Sequence, residues 1–518
     1  MCILCNIIGF GAYAADATTG SETDFAIPSP AIWAGTGATG TPYIDGLLSG
    51  HRWSGPITYS FPTVASTYQT GITEATNGFA AVSFAQIQAA RYILEGQSSV
   101  AGGPKMTMTA FEQFTNASVT DAGFGASDIR IAASASANPT AYAYYPSNDP
   151  RGGDVWFGTS YNYTNPRVGS YEYATMIHEL GHSLGLKHGH ELGGVSNVAV
   201  PYDRDSMEFT VMTYRSFIGQ APKGYTNETF GFAQTFMMLD IAALQQMYGA
   251  NFTTQSGNTV YKWSPTTGEA FINSVGQGTP GGNRIFQTIW DGGGVDTYDL
   301  SNYTTDLKID LTPGGWSTFS TAQLANLGYG NIARGSVFNA LQFNGDARSL
   351  IENAIGGSGN DVIYGNAANN VLVGGAGNDK LYGGAGADTL YGGSGNNILN
   401  GGEGCDLFVL AGASNAFSQI EDFRSGEDLI ALDRAGFGLS LTGSLQTANV
   451  GLQFGAFASG AGPTLLFNNA TRQLLWDSDG AGAAQARLIA SLPNLVPGAM
   501  SVSTSAHVTA LSAPVVAV

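Results

Sequence analysis

Gly356-Gly357-Ser358-Gly359-Asn360-Asp361-Val362-Ile363-Tyr364 opens a stretch that repeats every nine residues. Its units are Gly356–Tyr364, Gly365–Val373, Gly374–Tyr382, Gly383–Tyr391, Gly392–Asn400 and Gly401–Val409. Each reads as a glycine-rich turn followed by a three-residue strand. Position eight is always large and apolar: Ile363, Leu372, Leu381, Leu390, Leu399 and Phe408. A flexible glycine linker would not keep that register, so the units are expected to stack and bury position eight. Position six is Asp361, Asp379, Asp388 and Asp406 in four units, and Asn370 and Asn397 in the other two.

This pattern resembles the repeats-in-toxin family, which implies a parallel β-roll that binds calcium. Glycines allow the tight turns and expose carbonyl oxygens, and the position-six carboxylate completes an all-oxygen site of the kind calcium prefers. The resemblance implies that two units make one coil, with ions between units n and n+2. Gly357, Gly359 and Asp361 would then share an ion with Gly374, Ala376 and Asp379. Gly384, Gly386 and Asp388 would share one with Gly401, Glu403 and Asp406, with Gly383 and Ala385 in the same turn. Asn370 and Asn397 remove charge and should weaken their ions; Asn366 and Ala368 depart further. Upstream, Asp291-Gly292-Gly293-Gly294-Val295-Asp296 resembles the family's first calcium turn, with Asp291, Gly293, Gly294 and Asp296 as ligands, and Glu352 resembles the residue that closes such a site. Stacked carboxylates repel without a cation, so this region should be loose in low calcium and ordered in high.

Working outward, residues 50–250 mix strands and helices. Ile57 to Phe61, Asp128 to Ile131 and Ala141 to Tyr144 read as strands. Ser83 with Gln86 is a capping box opening a helix whose Ile87, Ala90 and Leu94 share a face. Tyr171–Leu186 and Thr235–Tyr248 read as helices, the second closed by Gly249. After Gly249 helical periodicity disappears. A hairpin is expected where Leu465 to Phe467 and Leu474 to Trp476 flank Asn468-Asn469.

Four of the six histidines fall between 178 and 190. The segment reads His178-Glu179-Leu180-Gly181-His182-Ser183-Leu184-Gly185-Leu186-Lys187-His188. Histidines at i and i+4 stand one helical turn apart on one face, about 6 Å along the axis. Gly185 can take the positive φ that turns the chain back, so that His188 supplies a third nitrogen. Three neutral ligands leave a coordination site for water, and zinc there lowers the water's pKa to about 7. Glu179 is placed to take the proton as general base. His190 is expected at the surface, and His51 and His507 as structural or solvated residues.

The full pattern resembles the metzincin zinc endopeptidases, whose fold brings a methionine turn beneath the metal. Phe209-Thr210-Val211-Met212-Thr213-Tyr214 matches that turn, making Met212 the candidate floor. The family more often has Ser where Thr213 stands. In the serralysin branch, the tyrosine matching Tyr214 ligates resting zinc and swings away to stabilise the transition state. Leu239 to Asn251 looks like the helix closing a serralysin catalytic domain. The Ala141–Tyr144 strand resembles the edge strand that holds extended substrate by backbone pairing.

Composition agrees. The chain has 518 residues, with 39 acidic and 20 basic side chains and a formal charge of −19. So acidic a surface disfavours nucleic acid and anionic membrane, because phosphate contacts need Lys and Arg. Cys2, Cys5 and Cys405 exclude a disulfide scaffold. No apolar run beyond the N-terminus is long enough to span a membrane. Cys2 to Phe10 is apolar and precedes Ala12-Tyr13-Ala14, but a secretory signal's positive start is missing, so a short leader or pro-segment is expected.

The resemblance spans about residues 50 to 430. It implies an α+β metzincin catalytic domain, an all-β parallel β-roll and a C-terminal β domain. The expected divisions are a mobile leader or pro-segment at 1–48, a catalytic domain at 49–250, a β-roll at 251–412 with repeats at 356–409, and a C-terminal β region with a secretion signal at 413–518. The activity implied is a secreted, bacterial, calcium-dependent zinc endopeptidase holding one zinc through His178, His182, His188 and Tyr214, plus several structural calcium ions. Its implied partners are protein or peptide substrates, a type I export machinery reading the C-terminal Ala513 to Val518, and a proteinaceous inhibitor; a monomer is expected. Two rival readings are a non-catalytic calcium-binding adhesion protein retaining a protease-like domain, and a zinc hydrolase acting on a non-peptide bond.

Overall fold

The computed structural model describes residues 31–96, 110–439, 443–444, 451–495 and 508–511. Residues 1–30 of the expected leader, with Cys2 and Cys5, and also His507 and the C-terminal Ala513 to Val518, lie outside the described residues.

The first half is built on a five-stranded sheet. Its strands are β3 (Ile57–Ser60), β4 (Val119–Asp121), β5 (Ile129–Ala133), β6 (Ala141–Ala143) and β7 (Val155–Phe157), after a hairpin of β1 (Ile32–Gly35) and β2 (His51–Ser54). The order is β4-β3-β5-β7-β6, parallel except for β6, which runs antiparallel to β7 and forms a free edge. Ile57, Tyr59, Ile129, Ile131, Val155 and Phe157 are buried against helices α1 (Phe84–Glu95), α2 (Tyr171–Ser183) and α3 (Met238–Tyr248). The capping box is present: Ser83 accepts from the Gln86 amide, and Gln86 accepts from the Ser83 amide. α2 ends at Ser183, sooner than expected, because Leu184 and Gly185 already turn the chain. α3 starts at Met238, where Asp240 accepts from the Met237 amide.

Residues 31–48, expected to be mobile, are instead ordered. β1 pairs with β2, and the buried Asp45 carboxylate accepts from Thr39, Gly40 and Ser196. This segment braces the histidine loop. The Lys187 amide donates to the Leu47 carbonyl, and the Ser49 amide donates to the Gly185 carbonyl. The buried Lys187 ammonium donates to the carbonyls of Gly46 and Glu191, each at 2.6 Å.

The second half is a spiral of two sheets. Strands Val362–Tyr364, Lys380–Ala385 and Gly395–Glu403 stack in parallel on one side; Val371–Val373, Thr389–Tyr391 and Leu407–Leu410 stack on the other. The register is 18 residues, two units per coil: Ile363 pairs with Leu381, and Leu381 with Leu399. All six position-eight side chains are buried between the sheets. The 464–468 and 473–477 strands form the expected hairpin.

Neither of the later expected boundaries, after 250 and after 412, is a break in packing. One core contains α2 and α3 together with Phe286, Trp290, Leu327 and Phe338 from beyond residue 250. Past residue 412, Ala416–Ile420 and Leu429–Asp433 continue the two stacks in parallel. Among the described residues, no helix is long and apolar enough to cross a membrane.

Close stacking of the turns makes a prediction. Gly393 has φ +83°, and a Cβ there would overlap the Gly375 carbonyl oxygen one coil below. Gly393→Ala is expected to destabilise the roll by about 1–3 kcal/mol, read as a lower denaturant midpoint. An unchanged midpoint would mean that the turns are free to spread.

Candidate metal centre

Ser170 caps α2 by accepting from the Tyr173 amide, and the helix carries His178, Glu179 and His182 into the interior. Gly185 then has φ +107°, and any side chain there would overlap the His51 carbonyl oxygen. The reversal brings His188 back to face the helix. His188 Nε2 lies 3.0 Å from His182 Nε2, 3.2 Å from His178 Nε2 and 2.9 Å from the Tyr214 hydroxyl. The Met212 side chain packs under the helix, and a Cβ on Gly181 would come within 2.6 Å of its sulfur.

The opposite nitrogen of each ring is committed. His178 Nδ1 donates to the Val211 carbonyl at 2.8 Å, and His182 Nδ1 to the Leu186 carbonyl at 2.7 Å. His188 Nδ1 stands 3.1 Å from a Glu191 carboxylate oxygen. A ring that donates through Nδ1 keeps its lone pair on Nε2. Three lone pairs thus face one point, which is unfavourable unless a cation lies among them. An ion about 2.0–2.1 Å from each nitrogen would set neighbouring ligands roughly 3.3 Å apart, close to the separations found. Burial holds His178 down at about 4 and His182 at about 3, so both rings stay neutral, as metal ligands must.

Glu179 is buried, and one of its carboxylate oxygens has no hydrogen-bond partner. Burial pushes its carboxyl up to about 8, where the group can both take and release a proton near neutral pH. Burial also raises Tyr214, to about 12, keeping its hydroxyl a donor. A cleft of about 620 Å³ opens on this side, lined by Ala141 of the edge strand and by His178, Glu179, Tyr214, Tyr225 and Phe232. The face beside Glu179 is therefore open.

His190 is a correction. It is not at the surface: its side chain is 11% exposed and packs over His188 and Tyr214 at ring distances of 5.3 and 4.8 Å. The tight turn after His188 folds it back over the cluster.

The oxygen-rich turns lie against one another in the fold. Asp291 accepts from the Gly293 amide and from the Tyr261 hydroxyl, and Glu352 accepts from the Asp296 amide. Asp291 and Asp296 are held above the ordinary carboxylate range, chiefly by burial. In the roll, Asp379 accepts from the Asp361 amide and Asp406 from the Asp388 amide, 18 residues apart. The second oxygens of Asp296, Asp379, Asp388 and Asp406 are buried without partners. Such orphaned carboxylate oxygens beside exposed carbonyls fit a hard cation. Gly357 and Gly359 stack against Gly375 and Gly377, next to Gly374 and Ala376; Gly384 and Gly386 stack against Gly402 and Gly404, next to Gly401 and Glu403. Gly383 and Ala385 lie in the same strand as Gly384, while Gly294 follows Gly293 at φ +138°. The asparagines need no ion: Asn370 Nδ2 donates to the Glu352 carbonyl and Asn397 Nδ2 to that of Gly393.

Residues 250–447 match the family described as Peptidase M10 serralysin C terminal. Serralysin G of Dickeya chrysanthemi is 32% identical over 320 residues, 60% of this chain and 60% of that protein. Serralysin B of the same organism is 34% identical over 338 residues, 62% of each. Over these spans the chain is similar to the serralysins. A metalloprotease of Pseudomonas entomophila (strain L48) is 33% identical over 51% of this chain and 53% of that one. The chain thus spans about three fifths of the length of serralysins G and B. Among solved structures, a subunit of the Azotobacter vinelandii mannuronan C5-epimerase matches 29% of this chain and 84% of that one at 23% identity, with a TM-score of 0.18.

The histidine cluster and the roll have supports that the sequence reading missed. Glu191 meets His188 only through the fold, although its place three residues on was a usable signal. Asp240 gave none. It is fully buried on α3 and accepts from the Thr210 hydroxyl at 2.5 Å, the Val211 amide at 2.8 Å and the Met237 amide at 2.9 Å. It thereby fixes Val211, whose carbonyl orients His178. Asp422 and Asp428 extend the roll's ladder by accepting from Gly401, Gly402 and Asp406. Their spacing breaks the nine-residue phase that defines the repeats.

Asp240→Ala strands three buried donors, each costing about 1–3 kcal/mol when unpaired. A stability loss of at least ~3 kcal/mol is expected in equilibrium unfolding. A loss below ~1 kcal/mol would show that Asp240 does not hold the methionine turn.

Proposed function

We propose that this chain is a secreted, calcium-dependent zinc endopeptidase with a metzincin catalytic domain. The observation that carries the reading is the convergence of three imidazole lone pairs beside an orphaned glutamate on an open cleft. His178, His182 and His188 would hold zinc, with Tyr214 within reach. When bound, zinc supplies Lewis acidity to a water and to the scissile carbonyl.

The chain's own residues do the rest. The free edge of β6 pairs with an extended peptide and aligns it over the cleft. Glu179 takes the proton of the attacking water and passes it to the departing amine. The Tyr214 hydroxyl donates to the oxygen on which negative charge develops. Tyr225 donates to the Thr213 carbonyl at 2.6 Å and so anchors the loop that carries Tyr214. Asp291, Asp296, Glu352 and the aspartates of the roll would hold calcium, which offsets their mutual repulsion and couples ion binding to folding. A type I exporter, a protein inhibitor and a monomeric state belong to the same reading by likeness to the family.

Glu179→Gln removes the proton carrier while leaving the imidazoles in place. Casein cleavage is expected to fall roughly 10²–10⁴-fold, with one zinc per chain retained. Equal cleavage by both proteins, or none by the wild type carrying zinc, would contradict the reading. Removing calcium with a calcium-selective chelator should abolish much of the β-sheet circular dichroism, and calcium should restore it. A spectrum indifferent to calcium would sever the link between these carboxylates and folding.

A further inference from the structure

A second set of donors lies on the outer side of His188. Glu191 Oε1 stands 3.1 Å from His188 Nδ1 and 3.8 Å from His190 Nε2. His188, His190 and Glu191 each bring a donor atom to within 4.8 Å of the others. The His190 ring is stacked on His188 and packed against Tyr214, so its position is fixed. Its Nδ1 is buried with no hydrogen-bond partner, so no acceptor dictates which nitrogen keeps the lone pair. Glu191 is half exposed, leaving room for water on the far side.

A fixed imidazole beside a carboxylate, open to water, is a mixed nitrogen and oxygen donor set. It suits zinc-class ions; calcium and magnesium favour oxygen alone. Two atoms 3.8 Å apart can share one ion at about 2.0–2.1 Å from each after a small adjustment. His188 Nδ1 carries the proton shared with Glu191 and is a neighbour of this ion, not its ligand.

We propose that His190 and Glu191 form a second, weaker divalent-metal site, and that filling it inhibits the enzyme by drawing Glu191 away from His188. The inhibition rests on the zinc-peptidase reading above; the site itself does not. With only two protein ligands, it should bind far more weakly than the three-histidine centre. It makes the chain responsive to zinc concentration: one ion activates, and excess suppresses.

The test is equilibrium dialysis of the full chain against zinc in saturating calcium, with bound metal counted. The wild type should show one tight zinc and one at least tenfold weaker. His190→Asn, with His190→Gln as a second variant, should lose the weak class and keep the tight one. In casein cleavage, activity at one equivalent of zinc should be unchanged in these variants, while the inhibitory zinc concentration rises at least tenfold. A single class of zinc in the wild type, or a weak class and inhibition that survive in both variants, would overturn the site. Absence of the tight class would instead overturn the zinc-peptidase reading, and the proposed inhibition with it.

Discussion

Each imidazole of the cluster is anchored through its outer nitrogen, and that constraint organises the first half of the molecule. The Val211 carbonyl holds His178, the Leu186 carbonyl holds His182, and the Glu191 carboxylate holds His188. Two of these acceptors are backbone atoms, so the lone pairs point inward only if the backbone is where it should be. Asp240 pins Val211 from α3. Gly185 permits the turn that delivers Leu186, and Lys187 ties the loop to Gly46 and to the carbonyl of Glu191. Outer partners of this kind set ring orientation and basicity as much as the ligands themselves do.

The second half meets a related problem with different donors. Its turns stack so closely that glycine is required, and Asp379 lies over Asp361 and Asp406 over Asp388, one coil apart. Burial, with added repulsion from neighbouring aspartates, pushes Asp379 and Asp388 up to about 7, far above an ordinary carboxylate. Protons or cations must offset that cost, and the exposed carbonyls of the turns favour cations. Where Asn370 and Asn397 interrupt the ladder, an amide donates to a carbonyl and the coil closes without added charge. The two halves are joined by a shared core in which Phe286 and Phe338 pack with the helices around the histidine cluster.

Much of this was legible in the sequence because it is periodic or local. The nine-residue repeat gave the spiral and its buried position eight. The i, i+4 histidines and Gly185 gave the cluster. What stayed hidden is non-local. Asp240 is 30 residues from Thr210 and looks like any acid in a helix's first turn. Residues 31–48 are rich in small residues and read as mobile, yet their carbonyls accept from Lys187 and brace the loop. His190 read as a surface residue because nothing in a linear motif says that the chain folds back over His188. Asp422 and Asp428 continue the roll after the repeat has lost its phase, so a fixed period passes over them.

The most direct test of the central claim is anomalous X-ray diffraction from crystals of the zinc-loaded protein, collected on both sides of the zinc absorption edge. The account predicts a strong edge-dependent peak about 2.0–2.1 Å from the Nε2 atoms of His178, His182 and His188, with the Glu179 carboxylate facing it across the cleft. No peak there, or a peak bound through Nδ1 with the rings turned outward, would contradict it.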